Sequence, residues 1–249
     1  MQQKKEQDFQ GQCRRCGTCC TQSPPALHAQ DLVLYEDQVL GKEHLLTLRT
    51  GELVLDNIQQ KVLSLEQEMV RLQSRAHSKT CIFYEQSRHS CKIYSKRPLE
   101  CRALECWNTG KIHKVYQLPR LKRWDMVAKN SALGSIMQEH ENKCPLTRIK
   151  TLVQEVLQGQ KQSAKRELSE MVRIDNEMRN YLRVNAGAGH AQLLFIFGRS
   201  LTAVLPALGL QVQPRGSAYD FQVRTRGQEM DYMEKFEPCS NSLLPPKGG

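Results

Sequence analysis

The feature that most constrains this chain is a knot of thiols near its start, Cys13-x2-Cys16-x2-Cys19-Cys20. Two residues between cysteines let one turn present both sulfurs to a single centre, and three cysteines in series wrap one face of a cubane. Zinc ribbons also use C-x2-C, but as two separated pairs, so a third cysteine two residues on is surplus to that pattern. Cys20 adjoins Cys19. Adjacent side chains seldom aim at one metal atom, which leaves the two free to serve different metals. Pro24-Pro25 follows shortly after, so irregular backbone is expected around the knot.

A turn with three usable sulfurs leaves a four-coordinate centre incomplete. Further cysteines are available to complete it. Cys81, Cys91, Cys101 and Cys106 lie close together in sequence, and Cys144-Pro145 has the form of the distant Cys-Pro that completes bacterial ferredoxin clusters. All nine, Cys13, Cys16, Cys19, Cys20, Cys81, Cys91, Cys101, Cys106 and Cys144, are candidate metal ligands, for one centre with spares or for two. Cys13, Cys16 and Cys19 are expected to converge with at least one of Cys81, Cys91, Cys101 and Cys144. The tenth, Cys239, reads as an isolated free thiol. His140, four residues before Cys144, would share a helix face with it and could join a zinc site. Thiolate softness admits zinc and iron–sulfur alike, and the series of three favours an iron–sulfur cluster, [4Fe–4S] in form.

The cysteines acquire this meaning only in a reducing compartment. The start, Met1-Gln-Gln-Lys-Lys, has no apolar segment of a secretory signal, so a cytoplasmic location is expected, where thiols serve metals or redox chemistry. The greasiest stretch, Ala191–Leu210, carries Arg199 near its centre, which argues for a buried helix and against a membrane span. Net charge is +10, with 22 basic and 16 acidic residues up to position 144 and 14 and 10 beyond it. That even spread argues against nucleic acid as a partner, which would gather the charge on one element. There is no H-E-x-x-H, phosphate loop or G-x-S-x-G.

Elsewhere the pattern is mixed. Asp31 is expected to cap a short helix ending at Gly41. Leu55, Ile58, Val62, Leu65, Met69 and Leu72 recur at spacings of three and four, which predicts one amphipathic helix, with a face for the domain core or for self-association. Thr80–Tyr84 and Cys91–Tyr94 alternate like the arms of a hairpin. Pro98 and Glu100 predict a helix start that places Cys101 among first-turn amides, a setting that stabilises thiolates. A long helix is expected over 152–182, a breaker at Asn185–Gly189, an apolar helix around 191–208 folding back on it, and a hairpin over 210–223. The fold class that follows is α+β and mostly helical. It has an irregular cysteine-rich metal-binding domain at 1–146 with a short β-hairpin, then a helical region at 147–249 with a small hairpin and loose tail.

The ordered set Cys13-x2-Cys16-x2-Cys19-Cys20, Thr80-Cys81-Ile-Phe-Tyr84, Cys91-Lys-Ile-Tyr94 and Arg97-Pro98-Leu-Glu-Cys101-Arg102 resembles the YkgJ-type cysteine-cluster (CxxCxxCC) family over residues 10–110. The resemblance implies a zinc- or iron-chelating domain, often labelled as an iron–sulfur protein. Three functions are open at this point. One is an iron–sulfur centre in a redox, sensing or structural role; the second is a structural zinc module presenting a protein-binding surface. The third is a protein-modifying enzyme, since some relatives place such a cluster in lysine methylases.

Overall fold

The structure, a computed structural model, describes residues 13, 15–56, 61–159, 162–216, 218–224 and 238–239. Helices α1 (Thr18–Gln22) and α2 (Leu32–Glu36) lead into four strands, β1 (Leu45–Leu48), β2 (Leu53–Asp56), β3 (Lys61–Ser64) and β4 (Met69–Leu72). β1 and β4 are antiparallel, with Leu45 opposite Leu72; β2 and β3 are antiparallel, with Leu53 opposite Ser64. The helix expected across Leu55–Leu72 is therefore replaced by three strands, and Ile58 lies outside the described residues. A single helix would have left Asp56, Glu68 and Arg71 on its polar face, yet all three are buried. Each has a partner: Tyr116 Oη donates to Asp56 Oδ2 at 2.7 Å, Arg123 Nε to Glu68 Oε2 at 2.9 Å, and Arg71 Nη2 to Ser74 Oγ at 3.2 Å. Spacings of three and four here measure strand-plus-turn repeats, which periodicity alone does not separate from helical turns.

The cysteine hairpin is shorter than expected. β5 (Tyr84–Glu85) and β6 (Ser90–Cys91) place Tyr84 opposite Cys91, while Cys81 sits upstream in an isolated bridge to Ser74. Helix α3 (Leu99–Ala103) starts where expected, with Pro98 at the N-cap. α4 (Gly110–Tyr116) and α5 (Ala132–Lys143) follow, the latter capped by Ser131 Oγ, which accepts from Gly134 N–H at 3.0 Å. The long helix expected over 152–182 is two, α6 (Leu146–Leu157) and α7 (Gln162–Ala186), with Gly159 between them at φ +74°. The apolar helix expected around 191–208 is also broken. α8 (His190–Ile196) and the segment Leu201–Leu208, which opens with α9 (Leu201–Val204), meet at a bend of 79°. Gly198 makes that bend at φ +72°, where a Cβ would lie 2.9 Å from the Thr47 carbonyl oxygen. β7 (Leu210–Arg215) and β8 (Ala218–Val223) form the expected hairpin, and the short β9 (Pro238–Cys239) runs parallel to β2. Among the described residues no single helix is long and apolar enough to cross a membrane.

The bend at Gly198 divides one apolar run between two cores. α8 sends Leu193, Phe195 and Ile196 into a core with Leu27, Leu45, Val70 and Leu72. Thr47 Oγ1 fastens it by donating to the Phe195 carbonyl at 2.6 Å, and Gln73 Nε2 bridges the Leu45 and Ala191 carbonyls, both at 2.7 Å. The second core sets Ile149, Leu152 and Val153 of α6 against Leu168 and Val172 of α7, with Leu201, Leu205 and Phe221 closing it. The α7 stripe is thus covered by α6, the β7–β8 hairpin and α9, and contacts from α8 cross the boundary expected at 146. Each fully buried leucine or phenylalanine contributes roughly 1.5–3 kcal/mol.

Buried charges tie the two cores together. Arg49, 2% exposed, grips Glu141 with two bonds of 2.8 Å and donates from Nη2 to the Cys144 carbonyl at 2.6 Å. His140 Nε2 donates to Asp175 Oδ1 at 2.8 Å, and Asp175 Oδ2 accepts the Leu201 N–H at 2.9 Å. Burial holds His140 below its ordinary value. The unfolded chain therefore binds a proton here that the folded chain refuses, so this contribution is complete above pH about 6.5 and is lost as pH falls from there through the folded value. Unfolding free energy should fall between pH 6.5 and 5 by up to about 1.4 kcal/mol per pH unit. His140→Gln, which keeps the donor, should flatten that slope in urea titrations at pH 7.5, 6 and 5. An unchanged slope would assign the loss to other groups.

Candidate metal centre

Eight cysteines line one cavity of about 240 Å³: Cys13, Cys16, Cys19, Cys20, Cys81, Cys91, Cys101 and Cys106. Three stretches deliver them. The N-terminal knot is pinned to the second stretch where the Cys81 N–H donates to the Cys20 carbonyl at 2.7 Å. Gly17 permits the close approach. Its φ is +81°, and a Cβ there would lie 1.9 Å from Tyr84 Oη, so only glycine fits. Tyr84, whose Oη lies 3.2 Å from His89 Nδ1, also pairs with Cys91 across the hairpin and so links the second wall to the first.

The third stretch, α3, is anchored from below. Asp31 stands at the N-cap of α2 with its side chain bonded on either side of it: Oδ2 accepts the His28 N–H at 3.0 Å, closing the turn that leads into α2, and Oδ1 accepts the Leu99 N–H at 2.8 Å in the first turn of α3. Glu100, fully buried, accepts the Ala26 N–H at 2.9 Å and pairs with Arg120, with His28 Nε2 at 3.3 Å. These anchors lie under Cys101, and sequence alone did not single them out. Glu100 reads there as an ordinary first-turn acid; only its inward burial gives it the second task.

The thiols fall into an inner set and a rim. Cys19, Cys20, Cys81, Cys91 and Cys101 are close enough that charge on one opposes ionisation of its neighbours. Burial pushes the Cys81 thiol up to about 11, raises Cys91, and raises Cys101 well above its ordinary value. The first-turn amides of α3 therefore do not make Cys101 a thiolate; loss of water outweighs them. Cys19 is the exception. The Cys20 thiol donates to it across an Sγ–Sγ distance of 4.0 Å and brings it down to about 6, helped by Arg97, while Cys20 holds its own proton much harder. Cys16, Cys13 and Cys106 are exposed, and Cys16 is lowered by the Thr18 hydroxyl, 3.3 Å away.

Cys144 is not part of this cavity. It caps α5 and is buried in the second core, where its Sγ donates to the Met171 carbonyl at 3.4 Å and burial pushes it up to about 12. The Cys-Pro pair marks a helix junction, with Pro145 as the N-cap of α6. His140 bonds Asp175 and packs its ring on Phe197, and it does not line the cavity either. Of the side chain of Cys239 nothing is described.

Among the described residues no group of three or more His, Cys, Asp or Glu side chains stands at single-ion coordination distances. The donor set still suits a thiophilic metal: eight cysteine sulfurs dominate one cavity, with the imidazole of His89 also on its wall and a basic side chain, Arg97, beside it. The 4.0 Å between the Cys19 and Cys20 sulfurs is near the about 3.8 Å that separates two sulfurs bound at roughly 2.3 Å to one tetrahedral ion. The distance alone is compatible with both sulfurs on one ion. No curated protein and no solved structure matches the chain. Residues 12–121 match the sequence model of the CxxCxxCC family, described as a "putative zinc- or iron-chelating domain", so this part of the chain is similar to that family.

Proposed function

We propose that the cavity holds a polynuclear thiolate centre, an iron–sulfur cluster, that ties the N-terminal knot to the hairpin and α3. The observation that carries this reading is the convergence of eight cysteines on one space. That space, about 240 Å³, is more than tenfold the roughly 10–15 Å³ that a water-sized occupant needs. Five inner sulfurs exceed what one zinc ion takes. When bound, the centre supplies a cross-link between three stretches of chain, so its binding free energy becomes folding free energy. The reading also implies a reducing compartment, in which the thiols stay free to ligate. Anaerobically purified protein should show broad absorbance near 400 nm with iron and sulfide in equal amounts. Colourless protein with stoichiometric zinc would replace this reading by the second, a structural zinc site, which the Cys19–Cys20 spacing favours.

Gly17 gives an independent check. Gly17→Ala must push the knot away from Tyr84, because the added methyl falls on the Tyr84 ring and the backbone is left-handed there. Metal affinity in a chelator competition should fall at least tenfold, while circular dichroism stays that of the parent. Unchanged affinity would show that the close approach is not needed to bring the sulfurs together.

A further inference from the structure

The cavity wall carries two cations that no carboxylate answers. Arg49, Arg120, Arg123, Arg179 and Arg199, all buried or half-buried, each face a carboxylate. Arg97 is half-buried too, yet among the described residues it faces none, and neither does Arg15. Both line the cysteine cavity. Arg97 is fixed by carbonyls on two different stretches, Nε donating to Tyr94 at 3.0 Å and Nη1 to Cys101 at 3.4 Å. Its guanidinium lies 3.9 Å from the centre of the Tyr94 ring, and that of Arg15 lies 4.3 Å from the same centre. Arg15 also holds a left-handed backbone, φ +53°, while its N–H donates to Cys13 Sγ at 3.4 Å. Such a backbone persists where the surroundings dictate it.

Two like charges gathered on one ring repel, so a group of opposite sign must hold the pair in place. No aspartate or glutamate lines the cavity among the described residues, which leaves sulfur as the counter-charge. The charge of Arg97 already reaches Cys19 and Cys91. Four thiolates about a dication leave a net charge of about −2, which two guanidiniums balance.

We infer that Arg15 and Arg97, stacked on Tyr94, are the built-in counter-charge of the thiolate centre, favouring its metal-bound state without touching the metal. Both are positioning residues, acting on the sulfurs through their field. The inference rests on the metal-binding reading and deepens it, leaving all eight cavity cysteines to the centre.

Zinc(II) is the probe, titrated anaerobically into full-length reduced protein against a chromophoric chelator. Arg97→Gln should lower zinc affinity at least tenfold in about 0.05 M potassium nitrate. In about 1 M salt, where screening is short-ranged, the gap should close to less than threefold. Arg97→Lys keeps the charge but not the fork of bonds, and should stay within threefold of the parent in both. A parental affinity in Arg97→Gln overturns the inference. So does a loss that Arg97→Lys shares or that salt leaves unmoved, which would make Arg97 only a tie between the Tyr94 and Cys101 carbonyls. Arg15→Gln, an exposed change, carries the test if the Arg97 variants depart from the parent's circular dichroism. It should lose affinity at least threefold at low salt, and no loss overturns the inference. A parent chain that binds no zinc, cobalt or iron removes the metal-binding reading itself, and this inference with it.

Discussion

Cys101→Ser is expected to strip the protein of retained metal, and Cys144→Ser to leave its metal content unchanged. The two cysteines look alike in sequence, one opening a helix and the other preceding a proline. In the structure Cys101 lies within reach of Cys19, Cys20, Cys81 and Cys91, whereas Cys144 bonds a backbone carbonyl in a separate core. Serine is a far poorer ligand for a soft metal than thiolate. Loss of Cys101 should therefore lower affinity by two orders of magnitude or more, read as metal per chain after dialysis against a chelator. Cys144→Ser should instead cost about 1 kcal/mol of stability, since it replaces a buried, weakly polar thiol by a hydroxyl. Loss of metal from the Cys144 variant would return that residue to the ligand set and break the division between cavity and core.

Glu100→Ala should be the most destabilising single change near the site. The carboxylate is fully buried and holds the Ala26 N–H and the Arg120 guanidinium, with His28 beside it. Removing it leaves a half-buried cation and a buried amide without their acceptor, which costs about 3 kcal/mol, the low end for a broken buried pair. Chemical denaturation of the metal-free chain should show that loss, and Glu100→Gln should recover part of it by still accepting the amide. A loss under about 1 kcal/mol would mean that water replaces the carboxylate and that α3 does not depend on it.

The convergence of the cysteines was legible because ligand spacing is local: C-x2-C-x2-C needs no tertiary knowledge, and Cys20, Cys81, Cys91 and Cys101 sit in short, ordered motifs that also reach the cavity. The helix start at Pro98 and the hairpin at 210–223 were legible for the same reason. What failed was non-local. Leu55–Leu72 carries a helical spacing, but Asp56, Glu68 and Arg71 find partners on Tyr116, Arg123 and Ser74, and those contacts decide for strands. The run 191–208 has helical composition throughout, yet Gly198 must pass within contact of the Thr47 carbonyl, so it bends and serves two cores. Cys144-Pro145 copied the form of a ligand pair while performing a helix junction. Gly17, the residue that lets the knot meet Tyr84, carried no signal beyond being a glycine between cysteines.

The central claim is that the cysteines of one cavity, without Cys144 or His140, hold the metal through sulfur. X-ray absorption at the edge of the metal retained by anaerobically purified protein tests it most directly. The account predicts a first shell of sulfur alone at about 2.3 Å, unchanged in Cys144→Ser and His140→Gln. A first shell containing imidazole nitrogen or carboxylate oxygen at about 2.0–2.1 Å, or one that changes in either variant, would contradict it.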